Sequence, residues 1–140
     1  MIDWRDIVHK QLTRHEGVKR FPYIDTVGKT TIGCGRNLTD KGLRADEIEM
    51  LLRHDISDAE DDARALLSDA IFDGLSDNRK AVMVNMAFNL GLTKLRKFTT
   101  TLAAIKAHRY KDAGIAMRQS LWAAQVGQRA IELAKLMETG

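Results

Sequence analysis

The chain has little that punctuates or staples a fold: one proline, one cysteine and 6% aromatic residues in 140 positions. A single cysteine, Cys34, excludes an intramolecular disulfide and points to folding in a reducing compartment. No Pro/Gly/Ser-rich stretch, low-complexity tract or internal repeat breaks the chain, so one domain over residues 1–140 is expected. No apolar run approaches the length of a bilayer span, and no stable membrane insertion is expected. The start, "MIDWRDIVHK", carries charges within its first six residues and lacks the apolar centre of a signal peptide, so synthesis in a cytoplasm is expected. His9, His15, His54 and His108 have no metal-ligand spacing, and Cys34 has no partner cysteine. Neither a metal nor a cofactor is expected.

What remains is the composition of a globular protein, 44% hydrophobic and 29% charged, long enough to bury a core without staples. The charge is uneven. Residues 1–70 hold 11 Lys+Arg against 14 Asp+Glu, whereas residues 71–140 hold 11 against 5. A basic C-terminal half suits an anionic partner such as nucleic acid, a membrane surface or a wall polymer, and serves equally as a solvated face. No nucleic-acid motif accompanies it, and no nucleic-acid partner is expected.

Periodicity divides the chain. Trp4, Ile7, Val8 and Leu12 recur at helical spacing behind the N-cap candidate Asp3, and Gly17 supplies the stop. "RFPYI" and "KTTIGCG" are β-type runs joined by the turn "DTVG", with Pro22 restricting the first to an edge or a strand start. From about Arg44 a 3.6 period through Ile48, Leu52, Ile56, Ala59, Ala63 and Leu66 predicts one long helix. Ser76 is placed to cap a buried helix containing "AVMVNMAFNL", which Gly91 ends. Helical patterns follow over about 100–109, 111–123 and 128–138. The class is α+β: a small sheet lobe over about 14–60, with a larger helical lobe from 1–13 and about 61–140. Trp4 and Trp122 are expected in the core, and Cys34 is expected as a small buried strand residue.

One stretch breaks a local rule. "RHEGVKRFPYIDTVGKTTIGCGRN" ends its helix on Glu16, where the helix dipole favours a cation. Strand alternation puts Thr31, Gly33 and Gly35 on one face, nearly bare of side chains, along which an extended ligand can approach the backbone. Two carboxylates beside such a groove are what glycoside hydrolysis needs, one holding a proton and one ionised. The negative helix end, with partial burial at a lobe junction, suits Glu16 to hold the proton, and an exposed turn suits Asp25 to stay ionised. The plainer alternative stays open: a surface glutamate, and an aspartate chosen for turn chemistry.

"HEG" followed by "YIDTVGKTTIGCGRNLT", then "VNMAFNLG", "KFTT" and "LWAAQVGQRA" in order, resembles the phage lysozyme family, glycoside hydrolase family 24, over most of residues 12–130. The resemblance implies a lysozyme-like fold with an active-site cleft between the two lobes, joined by the long helix. It implies Glu16 as general acid, Asp25 as second carboxylate and Thr31 as the hydroxyl that helps hold the attacking water, with inversion at the anomeric carbon. It further implies Gly33, Gly35, Leu38, Phe88 and Asn89 at the substrate and Arg129 paired with Glu16. Asn85 is expected to serve structure. Arg36 stands where a family histidine pairs with an aspartate, so a pair with Asp55 is expected in its place.

The implied activity is that of a muramidase and endolysin, a bacteriolytic enzyme acting on peptidoglycan. A holin would admit it from the host cytoplasm to the periplasm and wall, and it would act as a monomer. The alternatives are a lytic transglycosylase on the same bond and a non-catalytic wall-binding or phage structural module.

Overall fold

The computed structural model describes residues 1–140, which fall into two compact units, Met1–Met50 and Leu51–Gly140. The secondary structure is α+β: an N-terminal helix, a three-stranded antiparallel sheet, then helices only. No helix is long and apolar enough to cross a membrane.

In the first unit, helix α1 (Trp4–Glu16) starts at a reciprocal capping box. The Asp3 carboxylate accepts from the backbone N–H of Arg5 and Asp6, and the Asp6 carboxylate accepts from that of Asp3. It stops at Gly17, whose φ of +72° breaks the helix while its N–H still donates to the Thr13 carbonyl. Strands β1 (Lys19–Ile24) and β2 (Thr30–Gly33) form the expected hairpin, with Tyr23 opposite Thr31 and Ile24 opposite Thr30. Pro22 lies on the edge strand, where no neighbour needs its missing N–H. A two-residue third strand, β3 (Arg36–Asn37), was not expected. It pairs Thr31 with Asn37 and Ile32 with Arg36, and a run of two residues leaves no alternation to read.

Two burial expectations fail in this unit. Trp4 is exposed, with the Arg5 guanidinium 4.5 Å from its ring. Fifty residues enclose little, and the unit's one buried side chain is Thr31. Cys34 is also exposed, because β2 ends at Gly33 (φ +69°) and places Cys34 in the β2–β3 turn instead of on a strand face.

Helix α2 (Ala45–Leu67) is the long helix, bracketed by acids in its first turn and Arg64 in its last. The hydrophobic core lies in the second unit. Ala59, Ala63 and Leu67 of α2 meet Val82, Met83, Met86 and Ala87 of α4 (Asp77–Arg96), with Leu95, Ile105, Met117, Trp122 and Met137 completing it. Burying each of the larger side chains contributes about 1.5–3 kcal/mol. Ser76 caps α4 as expected, accepting from the Arg79 N–H, and the backbone leaves helical geometry at Gly91 (φ +78°, ψ 166°) before one more turn.

Short helix α3 (Asp69–Asp73), capped by Ser68, has too few residues to show a period. Helix α5 spans Thr99–Lys106. The pattern over 111–123 resolves into α6 (Tyr110–Arg118) and α7 (Leu121–Val126), because the Ser120 hydroxyl caps a new helix by accepting from the Ala123 N–H. Helix α8 (Gln128–Thr139) is locked from outside. Arg79 donates to the carbonyls of Met137 and Glu138, and its guanidinium lies 3.8 Å from the Tyr110 ring.

Candidate active site

Glu16 is the last residue of α1, and its carboxylate rests against Gly35. A Cβ at Gly35 would lie 3.5 Å from Glu16 Oε2. Gly35 reaches it through the turn after β2, at φ +85°, not through strand alternation. The same turn is tied to α1 by the Cys34 thiol, which donates to the Leu12 carbonyl at 3.3 Å. Glu16 is exposed, so the expected partial burial does not occur: its neighbour is a glycine, which covers little surface.

Asp25 opens the hairpin turn, and one of its carboxylate oxygens accepts from two backbone N–H groups, those of Val27 (3.0 Å) and Lys29 (2.8 Å). Turn chemistry therefore occupies Oδ1 and leaves Oδ2 outside these bonds. The carboxylate is held in one orientation by the backbone it shapes. Thr31 is 4% exposed, and its hydroxyl donates to the Lys29 carbonyl at 3.1 Å. With the proton committed there, the oxygen's lone pairs are left to accept. Gly33 closes the strand, and Leu38, half-buried after β3, donates its N–H to the Thr30 carbonyl at 2.8 Å.

Arg36 forms an ion pair with Glu47 in the first turn of α2. Both terminal nitrogens donate to the two carboxylate oxygens at 2.7 Å, and Nη1 also reaches the Gly42 carbonyl at 3.2 Å. Glu47 accepts further from the Arg44 N–H at 2.8 Å. The Arg36 hydrogen bonds, then the Arg44 amide, pull the Glu47 carboxyl down to about 2, and Glu47 in turn raises the Arg36 guanidinium.

In the second unit, Asp55 and exposed Phe88 line one pocket of about 400 Å³, together with Asp58 and Asp62. Phe88 also borders a larger apolar cavity of about 720 Å³, with Leu52, Ile56, Val84 and Arg129. Arg129, in the first turn of α8, donates from Nε (3.0 Å) and Nη2 (2.6 Å) to the Asn85 side-chain oxygen. The Asn89 side-chain oxygen accepts from Trp122 Nε1 at 2.7 Å. Both asparagines are bonded and both are exposed, although one was expected to be buried.

Thr101 was passed over in the sequence. It is the other buried polar side chain besides Thr31, and it lines a pocket of about 290 Å³ with Phe98, Ser120 and Trp122. The available signal was a run of three threonines at a helix start, Thr99–Thr101, where a hydroxyl facing inward is unusual.

The sequence model of the family described as phage lysozyme matches residues 13–137. The probable T4-type lysozyme 2 of Dictyostelium discoideum is 28% identical, over 89% of this chain and 89% of its own length. The probable T4-type lysozyme 1 of the same organism is 26% identical, over 95% of this chain and 94% of its own. The pre-baseplate central spike protein Gp5 of Enterobacteria phage T4 is 26% identical over 94% of this chain, which spans 27% of that larger protein.

Proposed function

The chain belongs to the phage lysozyme family and is a glycoside hydrolase, and from that premise we propose that it is a muramidase cleaving the β-1,4 bond between N-acetylmuramic acid and N-acetylglucosamine in peptidoglycan. The observation that carries the reading is the joint anchoring of Asp25 and Thr31 on Lys29, in the same unit as a glutamate held against Gly35. Glu16 donates its proton to the leaving glycosidic oxygen as the bond breaks. Asp25, through its free oxygen, and Thr31, through its accepting lone pairs, hold a water that attacks the anomeric carbon from the opposite face. The water's proton passes to Asp25, and the configuration inverts. Lysis of a host cell, as an endolysin admitted to the wall by a holin, is the biological role proposed for this activity, with the protein acting as a monomer.

A second reading is favoured by one observation, the match to a stretch of a phage spike protein: the same domain could serve within a phage structural assembly. In that reading the domain is non-catalytic and serves attachment. The test is clearing of purified peptidoglycan by wild type beside Glu16→Gln, with the soluble fragments weighed. Hydrated reducing ends from wild type alone support the muramidase. Anhydro-muramic ends would replace it with a transglycosylase, and wall binding without cleavage would leave an attachment module.

A further inference from the structure

Three consecutive residues of the β2–β3 connection, Cys34, Gly35 and Arg36, make three different anchoring contacts. Cys34 donates to the Leu12 carbonyl in the last turns of α1, Gly35 lies against the Glu16 carboxylate, and Arg36 grips Glu47 at the start of α2. The grip is the strongest of the three. It is a two-point charge-assisted pair reinforced by the Gly42 carbonyl and the Arg44 N–H, in which every bond restricts the same guanidinium or carboxylate.

Glu16 by contrast has no ion-pair partner in its own unit. What limits its carboxylate is the glycine surface next to it, and that surface moves with the 34–36 segment. We propose that Glu47 is a positioning residue for Glu16, acting through Arg36 and the turn that presents Gly35. The inference rests on the muramidase reading, in which Glu16 is the acid.

The physical demand is geometric. A proton donor must lie within hydrogen-bond reach of the leaving oxygen, and displacement of a group by about 1 Å is enough to cost a large factor in rate. Releasing Arg36 loosens the Cys34 end of β3, which pairs with β2 at Thr31–Asn37 and Ile32–Arg36, while the Leu38 N–H on the Thr30 carbonyl still holds the far end. The turn between them then loses the strongest of its three anchors. Binding of the polymer, which uses more of the protein than the acid, is affected less than the chemical step.

The experiment measures kcat and KM on soluble peptidoglycan fragments for wild type, Glu47→Gln, Glu47→Ala, Gly35→Ala and the Glu47→Ala/Gly35→Ala double variant. Asp73→Asn, which removes one partner of Arg64 in the second unit, is the control for loss of an ion pair as such. The expected result is a kcat lower by about tenfold in Glu47→Ala with KM nearly unchanged, a smaller fall in Glu47→Gln, and a double variant no worse than the poorer single one. Asp73→Asn keeps the wild-type kcat.

Glu47→Gln, which preserves shape, guards against a failure to fold, and its amide spectrum should move at Gly35 and Glu16 while the second unit stays in place. Wild-type kcat in a folded Glu47→Ala, additive effects in the double variant, or an equal fall in Asp73→Asn would overturn the proposal. An inactive wild type would instead overturn the muramidase reading beneath it.

Discussion

Asp25 and Thr31 are joined through a single residue: Lys29 donates its N–H to the Asp25 carboxylate and accepts the Thr31 hydroxyl proton on its carbonyl. The same carbonyl also accepts the Asp25 N–H at 2.9 Å. Carboxylate and hydroxyl are therefore set by one peptide segment of a tight turn, and neither orientation depends on a distant contact. This arrangement makes the two residues separable by mutation. Thr31→Val keeps the volume and leaves the Lys29 carbonyl with its Asp25 bond, so the cost in stability should stay near 1 kcal/mol by urea unfolding. The rate of peptidoglycan clearing should fall about a hundredfold, as for loss of a group that positions a reacting water.

Glu16 is exposed and contacts a glycine, so Glu16→Gln should leave stability within about 0.5 kcal/mol of wild type. Activity should drop by at least about a hundredfold, because the amide cannot donate a proton to the leaving oxygen. Thermal unfolding run beside the clearing assay separates the two effects. An active Glu16→Gln enzyme would remove Glu16 from the acid role.

The Arg36–Glu47 pair has a defined pH window. Glu47 is lowered from an ordinary 4.5 to about 2 in the folded chain. Its contribution is therefore complete above about pH 4.5 and is lost as pH falls through about 2. Arg36 is raised, so it stays charged throughout that window. Wild type should melt above Glu47→Gln at neutral pH, and the gap should close progressively on acidification. A gap that stays constant down to pH 2 would show that the pair's charge contributes nothing.

Trp122 and Asn89 make a further testable pair. The indole is 3% exposed and its N–H ends on the Asn89 oxygen, so Asn89→Leu strands a buried donor. The expected loss is about 1–3 kcal/mol. Trp122→Phe with Asn89→Leu should recover part of it, since the donor is then absent as well. Denaturant midpoints of the two singles and the double measure the coupling.

Much of the fold was legible because it is decided over a few residues. Asp3, Ser76, Gly17 and Gly91 act on their own helix ends, and the Asp25 turn is closed by bonds to residues two and four positions on. The candidate acid, aspartate and threonine could be named for the same reason: they lie in one continuous stretch whose spacing is itself the signal. Expectations changed inside that stretch at Cys34, which is exposed, and outside it at Trp4, because burial depends on the path of the chain and not on the local pattern. The Trp122 bond to Asn89 and the buried Thr101 were not seen at all.

The sequence by itself determined the α+β order, the helix caps, the hairpin turn with its carboxylate and the family, since each depends on local hydrogen bonding or on a pattern read along the chain. Tertiary structure alone decided that Arg36 takes Glu47, that Gly35 comes to rest on Glu16, and that Cys34 is exposed instead of buried. The physical reason is common to all three. Each depends on the path of the chain after Gly33, where a positive φ ends strand alternation and a two-residue strand redirects the backbone toward α2.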